Sequence, residues 1–438
     1  MNEHTNNPYK SIYIDVSFWP SHIYTNGDTI GGNVRVDPSS RPQRVTIAFK
    51  GGEKCSIMRG GGNDGTTYRE KPEYFSSELE LFASETKGAN YDIVNFGIAK
   101  DNRVELPFEF RFPDTMETQQ PLTKWLENER FESKPGGLLP PSYCSPGGFS
   151  SNAQIVEYYL EAKLYTESRH APSLRVRQSV VFTPLPPPFP NPIPTIGRSH
   201  LNMHLQQQRQ RGIWIRTHRL YPDYDPNEGF RDKMKHRWMR QKSAKPYTNF
   251  RIDAECPSIV TTGIPVLITL SITHLERSKG VPDPPPVFLR RVRVNVQSTI
   301  YTRIPHHSPF SEPRDIHDSH VYKTDLLDSS FTGEKGVLIY DGLPVITTEW
   351  PLHLAPPFKG YGLKLEHVIV VTVWGECAGE KIELQALHGK LTNVVALGHA
   401  GGDEGVNRRL EGEGREMLPP PTEEDVAPPP YQVLGKGS

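Results

Sequence analysis

The 438-residue chain lacks any clustered cysteine motif. Its four cysteines, Cys55, Cys144, Cys256 and Cys377, are scattered over both halves and none forms a C-x-x-C pair. Reduced thiols explain this spacing more simply than a disulfide framework does. No asparagine stands in an N-x-S/T sequon, which fits the same reducing compartment, the cytoplasm. Long apolar runs are also missing. The strongest, Val368 to Trp374, falls far short of the ~20 residues that a membrane-crossing helix needs. The stretch Met1 to Pro8 has no apolar segment, so no signal peptide is expected. Neither sign of charge dominates: 50 basic residues face 51 acidic ones, a net charge of -1. A global pull toward nucleic acid is therefore excluded as an expectation, and any attraction to a membrane has to be local.

Motifs of catalysis are absent as well. The chain has no G-x-x-x-x-G-K-[ST] loop, no G-x-S-x-G elbow and no H-E-x-x-H. Arg59 to Gly65 is glycine-rich, but no phosphate-binding lysine or helix signal follows it, so it reads as a hairpin loop. The densest His/Asp patch is Asp315, His317, Asp318 and His320, with His306 and His307 upstream. It is read as a solvated loop among Pro, Ser and Asp rather than a zinc site, which needs three or four convergent ligands. No catalytic residues, metal or cofactor are assigned, and the chain is read as a binding protein rather than an enzyme.

What the chain does have is short alternating strands. Ile12, Ile14, Val16 and Phe18 alternate with polar residues, as do Val45, Ile47 and Phe49, and Val104, Leu106, Phe108, Phe110 and Phe112. Val156, Tyr158, Leu160, Ala162 and Leu164 repeat the pattern, and a further strand covers about 174–182. A period of two places the apolar set on one face of a pleated strand. The series restarts near Tyr247: Phe250–Cys256, then Val266, Ile268, Leu270 and Ile272, then Val292, Val294 and Val296, and finally Val337–Tyr340, Leu363–Trp374 and Lys381–Leu387. Strands of this length between Gly/Pro turns argue for antiparallel sandwiches with one wet and one packed face. The fold class is therefore all-β, with two tandem antiparallel β-sandwich domains at 11–183 and 247–397. The halves also share an order of elements. Thr25 to Val34 precedes Gln43-Arg-Val-Thr-Ile, and Thr261 to Leu270 precedes Arg290-Arg-Val-Arg-Val. This reads either as an internal duplication or as the common appearance of all sandwiches.

With 42 prolines, 36 glycines and a hydrophobic fraction of 35%, part of the length must lie outside the cores. Residues 113–151 form a Gly/Pro/Ser-rich insertion with an expected short helix at Leu122–Phe131. Residues 184–246 form a long linker that opens on a polyproline spacer. Its stretch 231–245 mixes seven Lys and Arg with Met234, Trp238 and Met239. Such a segment either makes weak peripheral contact with anionic lipid or is a solvated face. Residues 398–438 carry few aliphatics and are expected to be a disordered tail. That tail holds Pro428-Pro429-Pro430-Tyr431, a P-P-x-Y motif. Prolines preset φ, so the segment loses little entropy on docking into the aromatic groove of a WW domain. Pro428 and Pro429 would fill that groove and Tyr431 a second pocket. Pro140, Pro141 and Tyr143 match the same pattern, but precede a strand and are assigned a structural role.

Taken together, these residues resemble an arrestin of the α-arrestin (arrestin-related trafficking adaptor) type found in fungi. The resemblance rests on Tyr24-Thr-Asn-Gly-Asp-Thr-Ile-Gly-Gly-Asn-Val34, Arg44 to Gly51, Leu106 to Pro113, Leu139 to Tyr143 and Val156 to Ala162. In the second half it rests on Leu363 to Trp374 and Glu380 to Leu384, and the tail motif is similar to the family's ligase-binding motif. It implies two immunoglobulin-like sandwiches. It also implies an adaptor that links the cytoplasmic tails of transmembrane transporters or receptors to a WW-domain HECT ubiquitin ligase, promoting ubiquitination, endocytosis and sorting. Such a protein would be cytoplasmic, with recruitment to the plasma membrane or endosomes. The alternative is a sorting or signalling scaffold of the same fold that acts without a ligase. The linker at 184–246 is longer than the family's compact pattern, which leaves open how rigidly the sandwiches are coupled.

Overall fold

The computed structural model describes residues 4–6, 10–17, 22–60, 65–84, 102–118, 126–146, 153–166, 172–185, 197–199, 212–222, 224, 245–308, 311–333, 336–352, 354–391 and 393–395. Among these residues there is no α-helix, and the elements are strands and single 3-10 turns. The expected helix at Leu122–Phe131 is not formed where it is described: residues 126–131 are loop and turn, and the rest lies outside the described residues.

Alternation governs both halves. Ile12–Val16 buries every second residue, and Leu363–Cys377 does so without a break over its whole length. In the first sandwich, Ile12–Val16, Thr29–Val36 and Val104–Arg111 form a three-stranded sheet. It faces an eight-stranded sheet centred on Arg44–Arg59 and Ile155–Tyr165, with Leu174–Phe182, Glu73–Ala83 and Thr66–Glu70 beside them. Phe49, Phe112, Tyr158 and Phe182 meet in the space between, with ring centroids 4.7 to 6.0 Å apart. Gly51 is required at this point, since a Cβ there would lie 2.6 Å from the rings of both Phe75 and Tyr158. The strand shifts register between Gly51 and Gly52.

In the second sandwich, Tyr247–Cys256, Pro265–Arg277 and Leu343–Glu349 pair in one sheet. Val287–Ser308, Ser311–Ser330, Leu363–Cys377 and Glu380–Lys390 form the core of the other. Each sandwich therefore begins with a hairpin in one sheet whose next strand crosses to the other: Thr29–Val36 to Arg44–Arg59, and Pro265–Arg277 to Val287–Ser308. The segment between the sandwiches is more than a connection. Gly197–Ser199 and Ile213–Arg216 both pair with Tyr247–Cys256, and Ile215 and Leu220 enter the second core.

The long hairpin of Val287–Ser308 and Ser311–Ser330 joins the two halves. Val292, Val294 and Val296 on its near part belong to the second core. Ile300 and Ile304 on its far part belong to the first, together with Phe358, Tyr361, Leu363 and Leu365. Both sandwiches consequently fall within one compact unit, Met1–Leu397. Replacing Ile300, which is fully buried, by Ala is expected to destabilise the full chain by about 2–4 kcal/mol. The shift is read from the urea midpoint; a loss well under 1 kcal/mol would mean that the far hairpin is not packed into the first core.

Candidate functional site

Two features stand out on the described surface and interior, and they share one strand. In Arg44–Arg59, Val45, Ile47, Phe49, Glu53, Cys55 and Ile57 are buried. Lys50 and Lys54, of opposite parity, line an open basin on the outer face of the eight-stranded sheet.

The basin encloses about 240 Å³ and carries Lys50, Lys54, Lys71, Lys163, Arg175 and Arg177 against Glu73, Glu157 and Glu161, with Glu53 buried beneath. Its centre is Glu161, whose side chain is only 3% exposed. Arg177 Nε lies 3.1 Å from one Glu161 oxygen, Arg175 Nη1 3.5 Å from the same oxygen, and Lys163 Nζ 3.7 Å from the other. Lys54 pairs with Glu157 at 2.7 Å, and the Arg177 guanidinium stacks 4.2 Å from the centroid of the Tyr159 ring. Cations outnumber carboxylates, so the basin is an electropositive face that suits a carboxylate-bearing or otherwise anionic segment.

The second feature is a buried polar junction between the sandwiches. Phe358–Lys359 and Leu363–Cys377 pair antiparallel and are closed by the two-residue turn Tyr361-Gly362. The amides of Tyr361 and Gly362 donate to Glu53 Oε1 at 2.6 and 3.0 Å. Glu53 is 2% exposed, and burial pushes its carboxyl up to about 7, against the turn amides and Arg303, which favour the ionised form. Gly360 is needed beside it: a Cβ there would sit 2.9 Å from both Glu53 Oε1 and the Tyr74 hydroxyl. Arg303 is fully buried on the other side of the turn. Its guanidinium donates to the Tyr361 carbonyl at 2.8 Å, the Leu126 carbonyl at 2.7 Å and the Glu132 carbonyl at 2.9 Å. It also approaches Asp315 Oδ2 at 3.4 Å and lies over the Phe131 ring. A planar five-donor fork is the one side chain able to serve carbonyls from both sandwiches at once.

One arrangement looks catalytic on paper but is sealed. Ser298 Oγ lies 2.8 Å from His367 Nδ1, and His367 Nε2 lies 2.8 Å from the Ala355 carbonyl. Both residues are buried and burial lowers the imidazole pKa. The carbonyl fixes the proton on Nε2, leaving Nδ1 to accept from the serine; the pair therefore reads as a satisfied core contact.

The residues singled out from sequence are placed as follows. Pro428, Pro429 and Tyr431 lie outside the described residues, as do 231–244 of the basic stretch. Pro140 and Pro141 are buried, and the Pro140 carbonyl accepts from the Tyr158 hydroxyl at 2.6 Å. Tyr143 forms a short strand with Cys144 against Ile155–Tyr165. Its ring meets Phe358 at 5.5 Å, and burial raises its phenol. The histidine patch is not a loop. It runs along Ser311–Ser330, with the exposed His317 ring stacked near the Phe131 ring; no group of three or more His, Cys, Asp or Glu able to hold a metal occurs among the described residues. All four cysteines are free, and only Cys144 is exposed. No helix among the described residues is long and apolar enough to cross a membrane.

Glu53 and Arg303 were not singled out from sequence. Glu53 carries a readable signal, since it continues the inward parity of Val45, Ile47 and Phe49 toward Cys55 and Ile57. Arg303 carries none: it shares the parity of Arg291 and Arg293, which are open to solvent and pair with Asp328 and Asp325. Only the covering loop from the first sandwich buries it.

No protein-family model and no curated protein sequence matches the chain.

Replacing Arg303 by Met strands Asp315 and three carbonyls in the interior and is expected to cost about 3–5 kcal/mol. Arg303→Lys should recover only a minor part, because one ammonium cannot span the same acceptors. Chemical denaturation of the three proteins decides this; a Lys variant as stable as the parent would refute the fork as the linking element.

Proposed function

We propose that this protein is an adaptor of the arrestin-related type, which brings a membrane protein's cytoplasmic segment and a WW-domain HECT ubiquitin ligase together on one chain. The observation that carries the reading is Pro428-Pro-Pro-Tyr431, following a body of two β-sandwiches whose motifs stand in the order of that family. The adaptor makes and breaks no bonds. It raises the effective concentration of ligase at cargo, so that neither contact has to be tight. Cargo is then ubiquitinated for endocytosis and sorting, with the adaptor recruited from the cytoplasm to the plasma membrane or endosomes.

The basin supports the cargo half of this reading, as a surface on the rigid body that complements an acidic cytoplasmic segment. Lys71 is exposed at its rim and Lys54 is half-buried. A fluorescent oligoglutamate peptide should bind the full chain at low salt and lose roughly tenfold in affinity when Lys54 and Lys71 are both changed to Glu. Unchanged affinity would remove the basin from the account.

The ligase half is tested by capture from cell extract with the native chain and with Tyr431→Ala. Capture of a WW-domain ubiquitin ligase by the native chain, and its loss with the variant, is the expected result. Equal capture would move the contact to another segment. Capture by neither would leave a sorting scaffold that works without ubiquitin.

A further inference from the structure

We propose that the Glu53 carboxyl group is a proton-operated latch between the two sandwiches, closed when protonated and loosened when ionised. The geometry makes the carboxyl the link itself. It extends from the first sandwich, and its Oε1 is the acceptor for both amides of the Tyr361-Gly362 turn of the second. From the basin above it face Lys50, Lys54, Lys163, Arg175 and Arg177, which are paired with Glu73, Glu157 and Glu161, and Lys71 at the rim. From its own strand it meets Cys55, whose thiol lies 3.9 Å from Oε2. From the neighbouring strands it faces Tyr74 and Tyr158, and from the turn Tyr361. All of these hydroxyls and the thiol have pKa values raised by burial and stay neutral. Glu70 adds a distant negative charge through Cys55. On the junction side the cation is Arg303, and it is already committed to Asp315 and to backbone carbonyls.

A protonated carboxyl keeps a carbonyl oxygen for the turn amides and carries no charge. An ionised one places a full charge where water cannot reach, which is costly unless fully compensated. Because burial raises the carboxyl from 4.5 to about 7, the joined state binds this proton more tightly than the opened state. The proton's contribution is complete below the ordinary carboxylate range. It fades as pH rises toward the raised value and is absent above it. His317 acts in the opposite direction. It sits near Arg303, Arg130 and Arg59 as well as Asp315, and burial lowers its pKa, so its protonation at low pH opposes closure. The two effects separate by residue.

The test uses hydrogen exchange of the Tyr361 and Gly362 amides in the full chain, corrected for the intrinsic pH dependence of exchange. Between about pH 6 and about pH 8, protection should fall roughly tenfold or more in the native chain and stay level in Glu53→Gln. His317→Gln should keep the fall. A level native profile, or an equal fall in Glu53→Gln, overturns the proposal. If Glu53→Gln does not fold, carbon-13 NMR of the native chain reads the carboxyl directly. A titration midpoint near 7 is the expected result, and one near the ordinary value of 4.5 overturns the latch.

Discussion

One carboxyl oxygen accepting two amide hydrogens from another sandwich is the contact on which the arrangement of this protein depends. Apolar faces attract without direction and tolerate sliding. A buried carboxyl does not, because displacement by even one ångström leaves donors and acceptors unpaired in a medium that penalises them. Glu53 and Arg303 sit on opposite sides of the Tyr361-Gly362 turn, one binding its amides and the other the Tyr361 carbonyl. The turn is thus held along both of its hydrogen-bonding directions, and the orientation of the sandwiches follows from it.

The strand that carries Glu53 also carries Lys50 and Lys54. Alternation alone assigns consecutive residues to two different jobs: one parity builds the junction, the other the floor of an electropositive basin. An electropositive surface and the joint that orients the body are separated by the thickness of a single sheet.

Much of the architecture was legible wherever one face of a strand is packed. Leu363–Cys377 alternates so strictly that its face assignment follows from the residues. In Arg44–Arg59 the apolar alternation shows at Val45, Ile47 and Phe49 and then breaks, because Gly51 and Gly52 stand at a register shift that only the folded neighbours explain. The patch Asp315 to His320 reads as a loop in the sequence, yet it lies within the strand Ser311–Ser330. Much of it is polar on both faces and is held by backbone pairing with Val287–Ser308 rather than by an apolar side. Glu73–Ala83 hides for a similar reason, with a polar middle between its buried ends. Of the site, Glu53 had a parity signal. Arg303 became visible only once the loop that covers it was in place, and the basin required four strands to be set side by side. Burial by a distant segment leaves no trace in the local residues it covers.

The sharing of the long hairpin has a consequence for synthesis. A chain emerging from the ribosome presents the first sandwich's strands well before the residues that complete its core, since Ile300, Ile304, Tyr361 and Leu365 come late in the sequence. The first half must wait with an apolar face uncovered and a carboxyl without its turn. Completion of both cores is then tied to one late event, the arrival of the hairpin and the Leu363–Cys377 strand. Ordered β-pairing over such separations is slow, and the waiting interval is the period in which this protein is most exposed to chaperones and to aggregation.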